Sequence, residues 1–92
     1  MTFRVGFRTS ALEAIRALPK RERQRIGEAL RQLEENPYPP RRAQADIKKL
    51  FGTRGREDAY RLRIGPWRVI YAIPDDTVDV RILEPRRDST YD

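Results

Sequence analysis

The chain has 92 residues, of which 38% are hydrophobic and 37% are charged, and this length accommodates one compact domain. It contains no cysteine and no histidine, which excludes disulfides, thiolate or imidazole metal sites and catalysis by either residue type. Twenty Lys and Arg against fourteen Asp and Glu give a net charge of +6. That balance favours a polyanionic partner such as nucleic acid, or an acidic protein, although the same charge also suits simple solubility.

The sequence predicts a single folded domain over residues 1–92, located in the cytoplasm. No apolar run approaches the roughly 18 residues that a membrane helix needs. The first residues also lack the apolar stretch of a signal peptide. The composition is polar, but it falls short of that of a disordered chain, so a fold is expected.

The N-terminal residues predict a strand and a short helix. Phe3, Val5 and Phe7 alternate with polar or small residues, which is typical of a half-buried strand. Ser10–Glu13 has the pattern of a capping box, which predicts a helix that begins there. Pro19 disfavours helical geometry at the residue before it, so this first helix is brief.

A second helix is predicted over residues 20–35, and Asn36 and Pro37 end it. An apolar stripe with helical spacing runs along this segment: Ile26, Ala29, Leu30 and Leu33. The segment 37–42 contains three prolines in four residues, so it is predicted as an extended connection rather than regular structure. The residues around Lys48 and a glycine-containing loop continue that connection.

Three strands follow in the C-terminal half. The first, over residues 60–64, alternates apolar residues with cationic ones: Tyr60, Leu62 and Ile64 against Arg61 and Arg63. A turn at 65–66 leads into the largely apolar segment 67–73, and 74–76 close a hairpin with a last strand at 78–82. Residues 84–92 read as a polar tail.

This order, β-α-α-β-β-β, predicts an α+β domain in which two N-terminal helices pack on one face of a small, mainly antiparallel sheet. If the helices cover the Tyr60 side, Arg61 and Arg63 stand on the opposite face. Further arginines on or after neighbouring strands would extend a cationic patch suited to phosphate oxygens, namely Arg68, Arg81, Arg86 and Arg87. The alternative is that they form the solvated side of an antiparallel sheet, which is the more common arrangement.

Three aromatic residues are candidates for stacking on nucleic-acid bases. Trp67 and Tyr71 are equally consistent with a place in the core. Tyr91 lies next to the end of the chain, where burial is less expected.

The order of elements resembles that of the RelE/ParE toxin family over nearly the whole chain. The residues that carry the resemblance are Lys49-Leu50, Tyr60-Arg61-Leu62-Arg63, Trp67-Arg68-Val69-Ile70-Tyr71 and the closing Arg86-Arg87 with Tyr91. The resemblance implies one two-layer RelE-like toxin domain and an acidic, RelB-like antitoxin as partner. In the RelE branch it also implies an RNase that inhibits translation by cleaving messenger RNA in the ribosomal A site, without metal or cofactor.

The resemblance also assigns roles by position. Arg61 and Arg63 stand where the RelE branch has two strand lysines, and Arg68 matches its strand arginine. Either Arg86 or Arg87, together with Tyr91, matches its C-terminal Arg and Tyr. The predicted catalytic residues are Arg61, Arg63, Arg68, Arg86, Arg87 and Tyr91. From their expected positions on the sheet, and not from the resemblance, Lys48, Lys49 and Arg81 are predicted to bind RNA through phosphate contacts. The alternative for the two lysines is solvated loop charge.

The chemistry leaves one role open. When a 2′-hydroxyl attacks the adjacent phosphate, the site must accept a proton and stabilise additional negative charge. Arginine suits the second task and not the first, because it stays protonated in proteins. Tyr91, Glu57 and Asp58 are the alternative bases, and the sequence does not choose among them.

Two other functions remain open at this point. One is a ParE-like toxin that inhibits DNA gyrase without nuclease chemistry, through its helices. The other is an inert binding module whose arginines dock an acidic chain.

Overall fold

The computed structural model describes residues 2–39, 46–50 and 59–85. Its elements are β1 (Arg4–Phe7), α1 (Thr9–Arg16), α2 (Lys20–Glu35), β2 (Ile47–Leu50), β3 (Ala59–Ile64), β4 (Trp67–Ala72) and β5 (Thr77–Pro85). The strands form one sheet in the order β1-β5-β4-β3-β2. Buried residues from both helices share one core with alternate residues of the strands, so both helices lie on the same face. The predicted α+β fold, with two helices on one face of a mainly antiparallel sheet, is confirmed.

The sheet has five strands where the sequence predicted four. The additional strand, β2, falls in the segment predicted to be a connection, and it pairs antiparallel with β3. Its periodic signal is weak because it is only four residues long and has lysines at both central positions, Lys48 and Lys49. Ile47 lies opposite Leu62 and packs against the core. Pairing along an existing edge therefore determines this strand more than its own pattern does.

The strand β1 pairs parallel with β5, with Val5 opposite Val78 and Phe7 opposite Val80. The pairing continues to the start of α1, because the Arg8 amide donates to the Val80 carbonyl over 2.8 Å. Arg8 is the N-cap of α1, in extended conformation and without a side-chain cap. The predicted capping box at Ser10 is therefore wrong, since the helix begins at Thr9 directly after the paired strand.

The second helix matches its prediction at both ends. It begins after Pro19, which is extended, and it ends before Asn36, whose φ of −152° leaves the helical region. Ile26, Leu30 and Leu33 are its buried residues, as the apolar stripe predicted. Neither described helix has the length and apolarity needed to cross a membrane.

Tyrosine side chains fill the centre of the core. The rings of Tyr60 and Tyr71 stack with centroids 5.6 Å apart, and Tyr38 packs edge-on against Tyr60 at 6.0 Å. The hydroxyl of Tyr71, which is fully buried, donates to the carbonyl of Pro37 over 2.7 Å. Of the two interpretations of Tyr71, a place in the core is the correct one, and its ring is not accessible for stacking on a base.

A second set of contacts attaches the first turns of α2 to the turn between β3 and β4. The indole Nε1 of Trp67 donates to the Glu22 carboxylate over 3.0 Å. Gly65 has a φ of +55°, which favours glycine, and the guanidinium of Arg25 occupies the space that a side chain at this position would need. The β3–β4 turn and the start of α2 are therefore held together.

The Tyr71 hydroxyl should be worth a measurable amount of stability. Tyr71→Phe leaves the buried Pro37 carbonyl without its donor, and we expect it to lower the free energy of unfolding by about 1–3 kcal/mol. Tyr38→Phe is the matched control, because that ring is 46% exposed, and it should cost about 0.5 kcal/mol or less. Urea denaturation of both variants measures the difference, and equal losses would contradict the assignment.

The same hydroxyl should make stability depend on alkaline pH. Burial raises the pKa of Tyr71 above the ordinary tyrosine value near 10, and Tyr60 adds to the effect. Above about pH 10 the unfolded chain releases this proton while the folded protein retains it, so stability falls as pH rises. The difference in unfolding free energy between wild type and Tyr71→Phe should therefore shrink above about pH 10. A difference that stays constant would refute this linkage.

Candidate nucleic-acid interface

The face of the sheet opposite the helices, here called the open face, carries two rows of side chains. Residues directly opposite each other on paired strands share a face, so the register defines each row. One row crosses the sheet through Lys48, Arg61, Ile70 and Ile82. The other, here called the arginine row, consists of Asp46, Arg63, Arg68 and Glu84.

The centre of the arginine row is a pair of opposed guanidinium groups. Arg63 lies directly opposite Arg68, an arrangement that is unfavourable for two like charges. A carboxylate stands at each end of the pair. Arg63 is 3.7 Å from Asp46, while Arg68 donates to Oε1 of Glu84 from Nε over 2.8 Å and from Nη2. The flanking carboxylates offset the repulsion that the two arginines impose on each other.

The arginine row is accessible at its ends and partly covered at its centre. The Arg63 and Arg68 side chains are 26% and 17% exposed, and those of Asp46 and Glu84 are 68% and 35% exposed. Part of each arginine side chain is therefore open to solvent on this face. Planar guanidinium groups held side by side match the oxygens of a phosphate.

A bulge in β5 brings Glu84 into the arginine row. Tyr71 lies opposite Val80, but Ile70 lies opposite Ile82, so Arg81 is an extra residue without a partner position on β4. Had the register continued without this shift, Leu83 would lie opposite Arg68. Bulges of this kind redirect side chains and are frequent beside active sites.

The other predicted residues take different positions. Lys48 is exposed on the open face, opposite Arg61, whereas Lys49 lies opposite Tyr60 on the helix-covered face. Arg61 has the predicted orientation but is only 6% exposed, so it does not lie on an exposed cationic surface as expected. On the open face its neighbours are Lys48 and Ile70, which stand on either side of it. Arg81 pairs with Asp79 over 3.2 Å and lines a shallow cleft with residues of α1, away from the arginine row.

Several predicted residues lie outside the described part of the chain. These are the C-terminal candidates and the alternative carboxylate bases, namely Arg86, Arg87, Tyr91, Glu57 and Asp58. Conversely, the sequence analysis missed Glu84, because it ended the last strand at Ile82 and read what followed as tail. The available signal was that Glu84 follows Ile82 by two residues, which places both on one face of a longer strand.

The exposed side of α2 forms a second cationic surface. Its exposed basic residues are Lys20, Arg21, Arg23, Arg25 and Arg31, and none of them forms an ion pair with another described residue. Four of the five lie in the first two turns, where the helix dipole disfavours positive charge. This surface faces away from the sheet and is separate from the arginine row.

Comparison with known proteins identifies relatives along nearly the whole chain. Residues 5–89 match the family model described as the ParE toxin of the type II toxin-antitoxin system parDE. A Methanocaldococcus jannaschii protein named as a RelE1 toxin is 32% identical over 92 residues, which are 99% of this chain and 97% of that protein.

Solved structures agree with that match. The crystal structure of the archaeal RelE-RelB complex from Pyrococcus horikoshii OT3 is similar with a TM-score of 0.77 and 36% identity, covering 97% of this chain and 100% of that one. The toxin-antitoxin complex RelBE2 of Mycobacterium tuberculosis gives a TM-score of 0.64 and 26% identity over 94% of this chain and 100% of that one.

The two adjacent lysines of β2 provide a test of the open face. Lys48→Ala removes a cation from the open face, beside the arginine row. Lys49→Ala removes a cation from the helix-covered face. If the open face binds single-stranded RNA, Lys48→Ala should lower the slope of log affinity against log salt concentration by about 0.7, whereas Lys49→Ala should change it by less. Fluorescence titrations at several salt concentrations measure both slopes. Equal changes would argue against binding at this face.

Proposed function

This chain belongs to the RelE/ParE family of toxins of type II toxin-antitoxin systems, and from that premise we propose that it cuts messenger RNA in the ribosomal A site. The observation that carries the proposal is the opposed pair Arg63 and Arg68, accessible on the face away from the helices. The Methanocaldococcus jannaschii, Pyrococcus horikoshii and Mycobacterium tuberculosis relatives described above bear RelE or RelBE names, which supports the RelE branch over the ParE branch.

The proposed reaction needs charge stabilisation more than any other contribution. The 2′-hydroxyl attacks the adjacent phosphate, and the phosphorus gains an additional oxygen and additional negative charge in the transition state. Arg63 and Arg68 extend from opposed positions on neighbouring strands, so both can donate to the oxygens of one phosphate. The guanidinium groups supply positive charge at the reacting phosphate.

The remaining predicted residues enter the proposal with different support. Lys48 is proposed to contact the RNA backbone beside the arginine row, because it is exposed on the same face. Arg61 is buried, so it is proposed to raise the positive electrostatic potential at the open face without contacting the phosphate. Arg86, Arg87 and Tyr91 keep their proposed catalytic roles on the family resemblance alone. Lys49 lies on the helix-covered face and Arg81 pairs with Asp79, so neither is given an RNA contact in this proposal.

We also propose that the chain is held inactive by an acidic, RelB-like antitoxin. The similar proteins from Pyrococcus horikoshii and Mycobacterium tuberculosis are in complexes of toxin with antitoxin. The net charge of +6 is complementary to an acidic partner that would cover the arginines. Both this partner and the ribosome imply action in the cytoplasm.

A second candidate function is inhibition of DNA gyrase. Two observations favour it, namely the ParE description of the matching family model and the basic residues on the exposed side of α2, which form no ion pair with another described residue. In that case the activity would lie on the helices, and the arginine row would be dispensable. The two proposals therefore differ in which face of the molecule carries the activity.

The experiment that tests the proposal is induction of the toxin without antitoxin, followed by mapping of messenger RNA ends on translating ribosomes. We expect new ends within A-site codons for wild type. Arg68→Ala should reduce their frequency by about 100-fold or more, since charge stabilisation of this kind contributes at least that much. Arg16→Ala, at an exposed position on α1, is the matched control and should cut like wild type.

The variant must also fold, because Arg68 pairs with Glu84. Unfolding by urea is the measurement that confirms this. Growth arrest with intact messages and broken DNA would indicate inhibition of gyrase instead. No arrest at all would indicate the inert binding module. A folded Arg68→Ala protein that cuts at the wild-type rate would remove this residue from the mechanism.

A further inference from the structure

We propose that Glu84 is the catalytic base that accepts the proton of the attacking 2′-hydroxyl. This inference rests on the proposed RNA cleavage and adds to it the group that the arginines cannot supply. Arginine does not deprotonate in proteins, so Arg63 and Arg68 can stabilise charge and cannot remove a proton. A carboxylate next to them can.

Among the described residues, the open face offers three carboxylates near its arginines, and their positions separate them. Asp46 lies at the exposed outer end of the row, 3.7 Å from Arg63. Asp79 is paired with Arg81 and lies five residues before Glu84 on β5, roughly 15 Å along the strand. Only Glu84 both contacts Arg68 and stays partly exposed, at 35% of its side chain.

The two oxygens of the Glu84 carboxylate have different environments. Oε1 accepts hydrogen bonds from Nε and Nη2 of Arg68, which fix the position of the carboxylate. Oε2 accepts no hydrogen bond from any residue in the described ranges 2–39, 46–50 and 59–85. One oxygen is thus anchored while the other is left to receive a proton, which is the arrangement that a positioned base requires.

The spacing of the arginine row fits the geometry of the attack. Neighbouring strands are about 4.8 Å apart, so the Glu84 carboxylate lies next to any phosphate that Arg63 and Arg68 hold. A reacting oxygen must come within about 3–3.5 Å of the phosphorus. A 2′-hydroxyl at that distance from a phosphate bound to Arg68 is within reach of a carboxylate that contacts the same guanidinium.

The step balances as follows. The 2′-oxygen forms a bond to phosphorus while its proton passes to Oε2 of Glu84, and the bond from phosphorus to the 5′-oxygen breaks. The product is a 2′,3′-cyclic phosphate, and the leaving 5′-oxygen takes a proton from water. Glu84 then returns its proton to solvent, so the enzyme is unchanged at the end of the cycle.

A competing explanation gives the opposite result on mutation. If Glu84 only occupies Arg68 until RNA arrives, the carboxylate competes with phosphate, and removing its charge strengthens RNA binding without loss of cleavage. If Glu84 is the base, removing its charge stops cleavage while the message stays bound. Binding and cleavage must therefore be measured separately.

The experiment compares wild type with Glu84→Gln and with Glu35→Gln, a control at an exposed position at the end of α2. Glutamine keeps an oxygen that can accept from Arg68, so the row should stay ordered. Cleavage is measured in single-turnover reactions on ribosomes programmed with a message, and affinity with the same message carrying a 2′-deoxy nucleotide that cannot be cut. The pH dependence of cleavage is recorded for each protein; among the described residues, the charged group facing Glu84 is Arg68.

We expect Glu84→Gln to cut at least about 100-fold more slowly than wild type while affinity changes by less than about threefold. The fall in wild-type cleavage at acidic pH should be absent from the residual activity of the variant. Glu35→Gln should match wild type in every measurement. Tighter binding with undiminished cleavage by Glu84→Gln would overturn the assignment.

The result also distinguishes the assignment of Glu84 from the proposed RNase function on which it rests. If wild type fails to cut the message at all, both the proposed RNase function and the assignment of Glu84 as its base are wrong. If wild type cuts and Glu84→Gln cuts equally fast, the RNase function stands and the assignment of Glu84 is wrong. Glu84→Asp offers a further check, since a shorter carboxylate should recover part of the lost rate.

Discussion

The buried hydrogen bond from the Tyr71 hydroxyl to the Pro37 carbonyl holds the end of α2 against the centre of the sheet. With the stacked ring of Tyr60, it fills the centre of the core between the helices and one face of the sheet. Everything that interacts with a partner through the strands must then stand on the other face. Strand alternation therefore assigns Arg63 and Arg68 to that face as a consequence of how the core is filled.

The arginines on this face come with their own counter-charges. Two guanidinium groups directly opposite each other would destabilise the β3–β4 pair, and Asp46 and Glu84 reduce that cost from either end. The arrangement allows two arginines to stand side by side in a folded sheet. It also means that any phosphate bound there would share the guanidinium groups with carboxylates that already contact them.

Much of this fold was predictable from local patterns, because β3, β4 and α2 carry strong periodicities and the side on which Arg63 and Arg68 lie follows from them. The position of Glu84 was not, because it depends on the single extra residue in β5 that changes the register between Ile70 and Tyr71. The strand β2 escaped prediction because an existing edge, rather than its own sequence, determines it. The burial of Arg61 depends on how the side chains around it pack, which alternation alone does not describe.

The parallel pairing of β1 with β5 joins residues 4–7 to residues 77–80, so the first strand of the chain obtains its partner only from the last. Contacts so distant in sequence form slowly, because a long loop must close before they stabilise anything. During synthesis, β1 has no strand to pair with until residues 77–80 have been made. A nascent copy thus lacks the complete sheet, and Glu84 of the arginine row, until β5 has been synthesised, so the row cannot form on a shorter chain.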